Sequence, residues 1–265
     1  MKRSSALVLG TIAGGLFLAG SASLAAAQAV QPRHPEGFAG PMVTDRPDFT
    51  ESTEAVPRGR FQLEAGYTFV RRRGPDEHSV GEALLRYGFA ERWELRIEAP
   101  SLVFESDPYD AGLSDLGIGL KHELAEQDGA RPALGLIVSA TLPTGSEGFS
   151  EDTVVPQATL AWAYDLTERL SLGGNFNLAA PRDEDERFLA PSSSLALGLA
   201  LAEKLGVFAE YFGFYPSGDR DETHYGSAGL TYLFTPNFQL DFRVGIGLNS
   251  AADDGFAGTG FSLRW

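Results

Sequence analysis

The stretch that decides the fold is Gly255-Phe-Ala-Gly-Thr-Gly-Phe-Ser-Leu-Arg-Trp265, the last eleven residues of the chain. Alternate residues of a β-strand point to opposite faces of the sheet. One face of this stretch would carry Ala257, Thr259, Phe261, Leu263 and Trp265, and the other would carry glycine, serine and arginine. The period therefore predicts a β-strand with one largely apolar face and one small or polar face.

The opening residues predict export. Residues 1–27 contain Lys2 and Arg3, an apolar region over residues 6–18, and a run of three alanines at 25–27. This is the pattern of a cleaved secretory signal peptide. After it, no run approaches the roughly 18 consecutive apolar residues that a membrane helix needs. If the mature protein crosses a membrane, we expect it to do so with strands.

The composition excludes two classes of protein. The chain has 265 residues, no cysteine and a formal net charge of -15. Without cysteine an exported protein cannot depend on disulfides for its stability. Strong acidity argues against binding to nucleic acid, because phosphates are bound by a basic surface.

Residues 59–265 show strand-like alternation throughout. Twelve apolar rows, each taking every second residue, contain no Asp, Glu, Lys or Arg, and they span 61–69, 83–89, 93–99, 116–124, 134–142, 156–164, 170–178, 195–201, 205–211, 228–234, 238–248 and 257–265. The opposite faces carry the ionisable residues Glu64, Glu82, Arg86, Glu94, Arg96, Glu98, Asp115, Lys121, Glu123, Glu210, Asp241, Arg243 and Arg264. A soluble barrel would bury the apolar rows, whereas a membrane barrel would turn them to lipid and its charges to a wet lumen.

Two further patterns favour the membrane barrel. Connections alternate between short ones, such as 90–92 and 202–204, and longer ones predicted at 71–79, 105–114, 143–153, 180–191, 216–223 and 249–255. The three tryptophans, Trp93, Trp162 and Trp265, lie on apolar rows near short turns, as an interfacial aromatic girdle requires. We therefore predict an all-β fold, a 12-stranded antiparallel up-and-down transmembrane barrel.

Three segments resemble the outer-membrane "transporter" family named for the meta-pathway of phenol degradation. They are Thr44-Asp-Arg-Pro-Asp-Phe-Thr-Glu-Ser52 with Gly59-Arg-Phe-Gln-Leu-Glu-Ala-Gly66, Gly112-Leu-Ser-Asp-Leu-Gly-Ile-Gly-Leu-Lys121, and Leu142-Pro-Thr-Gly145. The resemblance implies an outer-membrane location and the passage of small aromatic or hydrophobic molecules. The closing strand resembles that of outer-membrane barrels, which implies that Phe261, Leu263 and Trp265 form a signal read by the barrel-insertion machinery.

Residues 28–58, which we call the leader, are rich in proline and irregular. They contain Asp45, Arg46 and Asp48, which we expect to enter the lumen and partly plug it by meeting wall residues such as Arg86 or Arg96. A leader hanging free in the periplasm is the alternative.

The function predicted is a passive channel for small solutes, whose pore is lined by the charged residues of the barrel strands. A structural or surface barrel without transport is the first alternative. A lipid-face hydrolase is the second, but His122 is the lone histidine deep in an apolar row, with no serine clearly placed beside it. We expect no enzyme activity, cofactor or metal, and as partners outer-membrane lipid, lipopolysaccharide and an unidentified small molecule. The acidic outer loops predict either solvated charge or weak binding of divalent cations.

Overall fold

A computed structural model describes residues 40–106, 110–183 and 186–265. The predicted signal peptide, residues 1–27, lies outside the described residues, as does the first part of the leader. Within the described residues no helix is long and apolar enough to cross a membrane.

The described chain is built from strands. Their bounds are β1 (Phe61–Arg71), β2 (Asp76–Ala90), β3 (Trp93–Glu98), β4 (Leu102–Ser106), β5 (Asp110–Leu113), β6 (Leu116–Ala125), β7 (Ala133–Leu142), β8 (Val155–Asp165), β9 (Leu170–Ala179), β10 (Arg182–Asp183), β11 (Glu186–Arg187), β12 (Ala190–Ala202), β13 (Leu205–Phe214), β14 (Thr223–Thr235), β15 (Phe238–Gly247) and β16 (Gly255–Arg264).

Each strand pairs antiparallel with its neighbours, and β1 pairs with both β2 and β16, so the sheet closes on itself. Strands β3 and β4 lie end to end beside β2 and together form one spanning strand. Leu84 faces Glu98 and Val80 faces Leu102 in the same register. Pro100 interrupts that spanning strand because it has no backbone N–H. Strands β5 and β6 likewise lie end to end and form the next spanning strand, with β5 beside β4 and β6 beside β3. Strands β10 and β11 pair only with each other, outside the wall. The wall therefore has twelve spanning strands, and the predicted fold class is confirmed.

The two faces of the wall differ as the alternation predicts. Along β12 and β8, the side chains of Leu197 and Leu160 point outward and are exposed, whereas Ala196 and Ala161 are buried inside. The ionisable residues Arg86 and Lys121 are completely buried in the lumen. An exterior of leucine, valine and phenylalanine fits hydrocarbon, because a lysine or arginine there costs roughly 2–4 kcal/mol at mid-bilayer.

The prediction of long loops is wrong at three places. Strand β2 already begins at Asp76, β4 and β5 occupy most of the segment predicted as the loop 105–114, and the segment 180–191 contains the β10–β11 hairpin. The apolar rows read from the sequence end before the hydrogen-bonded pairing does, and on β4 the outward Leu102 is still apolar and exposed while Val103 is buried inside. The strands are therefore longer than the apolar rows from which they are predicted.

Aromatic side chains gather at the short-turn end. Phe61 stacks on Tyr87 and on Trp265, with ring centroids 4.4 and 5.8 Å apart. Trp93 stacks on His122 at 4.0 Å, and His122 shares a hydrogen bond with the backbone oxygen of Arg92. His122 thus packs against an aromatic side chain at the short-turn end.

Candidate functional site: the lumen and its leader

The described part of the leader, residues 40–58, runs inside the barrel. It starts at the short-turn end, where Arg264 donates to the Gly40 oxygen at 2.6 Å and Met42 N–H donates to the Pro236 oxygen at 2.8 Å. It rises, turns back, and returns to the same end, where Val56 N–H donates to Glu94 at 2.8 Å. Arg58 then forms a β-bridge with Gly88, just before β1 begins.

Asp45 is the most heavily bonded residue of the leader. Its carboxylate accepts from Lys121 Nζ at 2.9 Å and lies within ion-pair distance of the guanidinium groups of both Arg86, at 3.3 Å, and Arg96. The hydroxyl of Ser52 also donates to it at 2.6 Å, which closes residues 45–52 into a compact loop. The Asp45 carboxylate and its three cationic partners are buried, and Ser52 is half-buried. A buried charge is tolerated only when it is paired and hydrogen-bonded.

The register of the wall explains why a leader carboxylate is needed there. Arg86 on β2 lies directly opposite Arg96 on β3. Like charges that face each other across a strand pair repel. Glu94 bridges the two, accepting from Arg86 at 2.8 Å and from Arg96 at 3.0 Å. Asp45 contacts both guanidinium groups as well, so the leader supplies the second anion that keeps these two arginines together.

Arg46 makes the opposite match on another part of the wall. Its guanidinium group donates to Glu82 at 3.0 Å and to Asp241 at 3.3 Å. Glu82 lies at a β-bulge and has a backbone φ of 37°, which residues other than glycine rarely adopt. The leader therefore places the Asp45 carboxylate beside the lysine and arginines of the wall, and the Arg46 guanidinium group beside two wall carboxylates.

The far tip of the leader packs against aromatic side chains. The ring of Phe49 stacks on Phe212 of β13, with centroids 4.7 Å apart and planes 13° apart. Phe212 in turn stacks on Tyr225 and lies near Phe256, and all four residues belong to one buried cluster inside the barrel. Glu210 fixes this tip, since it accepts from Phe49 N–H at 2.9 Å and from the Thr50 hydroxyl at 2.7 Å.

Asp115 lies at the long-loop end and organises the connection 143–154. It accepts hydrogen bonds from the backbone of Thr144 and Gly145, at 2.9 and 2.8 Å, from the Ser150 hydroxyl at 2.8 Å, and from Glu151 N–H at 2.9 Å. Burial beside Asp115 and Asp152 raises the pKa of Glu151 to about 7. Two of the segments that carried the family resemblance therefore meet here through one carboxylate.

The remaining predicted pore-lining residues are distributed along the lumen. Glu64 accepts from Asp45 N–H and Arg86, Glu123 accepts from Ala55 N–H, and Arg243 donates to the Pro47 oxygen and to Thr68. Glu98 faces inward beside Gly117. Asp48 is buried within the leader. That these residues line a pore, and that Asp45, Arg46 and Asp48 plug it, stay predictions.

Several residues of the site were not predicted from the sequence. Glu51 pairs with Arg96 at 3.0 Å, and Gln62 and Gln239 bind the leader at the Val43 oxygen and the Thr44 hydroxyl. The inward aromatic residues were also missed. Their signal is present in the sequence, because Phe212, Tyr225 and Phe256 fall on the rows opposite the apolar ones, among mostly small or polar residues. Among the described residues no group of histidine and acidic side chains has the arrangement of a metal site.

Comparison with known proteins gives one family and several similar folds. The family model described as "Putative MetA-pathway of phenol degradation" matches residues 44–265, which include the lumenal loop of the leader as well as the barrel. Among curated proteins none matches the chain.

Solved structures share the barrel. An outer-membrane channel from Pseudomonas putida F1 superposes with a TM-score of 0.62 at 16% identity, covering 81% of this chain and 98% of that one. The NanC porin gives 0.55 at 10% identity, covering 77% and 98%, and the KdgM porin gives 0.51 at 12% identity, covering 76% and 98%. At such identities the likeness is one of fold.

Proposed function

Because the chain belongs to the phenol-degradation MetA-pathway family, we propose that it is a channel for the passive diffusion of small solutes, restricted by its leader. The protein is an outer-membrane β-barrel. The single observation that carries the proposal is that the leader adds no strand to the wall, lies inside the barrel, and is held there mostly by hydrogen bonds and ion pairs to wall side chains. A segment held in this way can be displaced while the barrel stays folded.

A barrel with a purely structural role has no need of a removable filling. Its lumen can be closed by wall side chains alone, as in small barrels whose interior is just wide enough for side chains. Here the wall contributes glycine where the leader passes. A Cβ at Gly88 would overlap the backbone oxygen of Val56, and a Cβ at Gly66 would overlap the guanidinium group of Arg46. The wall is therefore shaped around the leader.

The inward aromatic residues favour solutes with an aromatic or hydrophobic part. With the tip of the leader withdrawn, the ring of Phe212 would lose its stacked partner Phe49. Aromatic rings pair in offset-stacked or edge-to-face geometry, worth about 0.5–1.5 kcal/mol beyond the buried area. A ring-bearing solute can take the place of Phe49 and then move on, since this energy is small enough for rapid release.

The charges of the wall set the expected ion preference. The five basic and eight acidic residues of the inward rows, Arg264 included, sum to a net charge of -3. A lumen of that sign raises the local concentration of cations. We therefore expect an open channel to be weakly selective for cations over the lumen as a whole.

Two measurements test the proposal. In planar bilayers the purified protein should give discrete conductance steps, and a silent membrane would favour the structural barrel. In liposome swelling L-phenylalanine should enter faster than L-leucine, which has similar size and the same charge. Equal rates would remove the aromatic preference but keep the channel. Hydrolysis of a phospholipid in detergent would instead support the lipid-face hydrolase, the enzyme alternative.

A further inference from the structure

Three cations and two anions of the wall surround the position of the Asp45 carboxylate. The cations are Lys121, Arg86 and Arg96, and the anions are Glu64 and Glu94, all of them buried. These five side chains therefore carry +1, three positive charges against two negative ones; Glu98, which also faces inward beside Gly117, is not among them. With Asp45 and Glu51 of the leader added, the sum becomes -1. Withdrawal of the leader leaves an anion-attracting site in a lumen that is otherwise acidic.

The leader also occupies the aromatic wall. Phe49 follows Asp45 by four residues and stacks on Phe212 with centroids 4.7 Å apart. The Glu210 carboxylate holds the backbone at Phe49 and accepts from Ser227 at 3.0 Å. One segment thus offers the lumen a carboxylate and an aromatic ring, each with its own partners on the wall.

We propose that the leader fills a site whose diffusible ligand is a small organic monoacid bearing an aromatic ring, and that such an acid competes with the leader. The inference rests on the proposed function for its claim that such an acid also passes through the channel. The carboxylate takes the position of Asp45 between Lys121 and the two arginines. The ring takes the position of Phe49 on Phe212.

The charge of the site favours a monoanion. Guanidinium groups bind carboxylates through paired, directional hydrogen bonds. Glu64 and Glu94 stay in place when the leader leaves, and each already accepts from Arg86. A net of +1 is neutralised by one carboxylate, whereas a dianion such as phosphate would leave excess negative charge in a water-poor site, which is costly.

A cysteine in the leader reports its release. The chain has no cysteine, so Thr53→Cys introduces a single thiol. Thr53 is buried, and a Cβ at Gly135 of β7 would meet its backbone. A membrane-impermeant maleimide should therefore label this thiol only when the leader leaves the lumen. The full-length protein in detergent is treated with 3-phenylpropionate, with 3-phenylpropanol as the uncharged control, and with propionate as the control without a ring.

The expected result is faster labelling with 3-phenylpropionate alone. A ligand that binds only the released state multiplies its population by 1 + [L]/Kd, so at ten times Kd the rate should rise about tenfold. Lys121→Met should weaken this response, because it removes one cation of the site. An equal effect of 3-phenylpropanol would overturn the carboxylate, and an equal effect of propionate would overturn the ring.

No acceleration by any of the three compounds would overturn the whole inference. Failure of the proposed function is distinguishable from this. If no solute crosses liposomes yet 3-phenylpropionate releases the leader, the site exists without transport. If the channel conducts and the acid has no effect on labelling, only the inference fails.

Discussion

Replacing Asp45 by asparagine should release the leader. The substitution keeps the size of the side chain but removes the charge that faces Lys121 at 2.9 Å and Arg86 at 3.3 Å. Removing one partner of a buried ion pair typically costs about 3–5 kcal/mol, because the other charge is left uncompensated. Since 1.4 kcal/mol is a factor of ten in an equilibrium constant, the population of released leader should rise by about 10²- to 4 × 10³-fold.

The assay is maleimide labelling of the Thr53→Cys reporter in the Asp45→Asn and parent proteins. When opening and closing are fast, the labelling rate follows the population of the released state. Asp128→Asn is the matched control, because it also removes one carboxylate but lies at an exposed turn, with 82% of its side chain accessible. Equal labelling rates in the parent and Asp45→Asn proteins, with both barrels folded, would refute the claim that this carboxylate anchors the leader.

Three further predictions follow from other parts of the molecule. Gly66→Ala should accelerate labelling of the same reporter, because its methyl group displaces the Arg46 guanidinium; a rate like the parent's would mean that Arg46 does not hold the leader. Leu160→Arg should lower the free energy of unfolding in lipid by roughly 2–4 kcal/mol. Thr159→Arg, on the inner face of the same strand β8, should lower it less. Equal losses in urea titrations would contradict the assignment of faces. The pKa of Glu151 is raised from 4.5 to about 7, so the packing of loop 143–154 is most stable below about pH 4.5 and loses stability as pH rises through 7. Hydrogen exchange of this loop, corrected for intrinsic rates, should be slower at pH 5 than at pH 8, and Glu151→Gln should remove the difference; an unchanged dependence in that variant would assign it to another group.

The barrel could be predicted from the sequence because its exterior meets a uniform apolar solvent. Every outward row must then be free of charge for its full membrane depth, which leaves an unbroken period of two. The closing stretch shows this most simply, with Phe261 and Leu263 outward and Arg264 inward. The ends of the strands were not predictable in the same way. At Asp76 of β2 the hydrogen-bonded pairing with β4 has already begun, although the apolar row read from the sequence starts only at residue 83.

The lumen could be predicted only as a set of charges. That Arg86 faces Arg96 follows from the tight turn between β2 and β3, but the path of the leader does not. The position of Asp45 between these arginines and Lys121 depends on a loop closed by Ser52, whose hydrogen bond joins residues seven apart in an irregular segment. No periodicity records such a contact. The inward aromatic cluster is not predicted by the alternation, because its rings lie on the same faces as the charged residues of the lumen.

The measurement that tests the central claim most directly is the single-channel conductance of the protein with and without residues 30–57. Both forms should first show the heat-sensitive migration of a folded barrel on electrophoresis. If the leader restricts the lumen, the shortened form should give larger conductance steps than the whole protein under the same salt and voltage. Steps of equal size would contradict the claim, since they would mean that current passes through the barrel without regard to the segment that fills it.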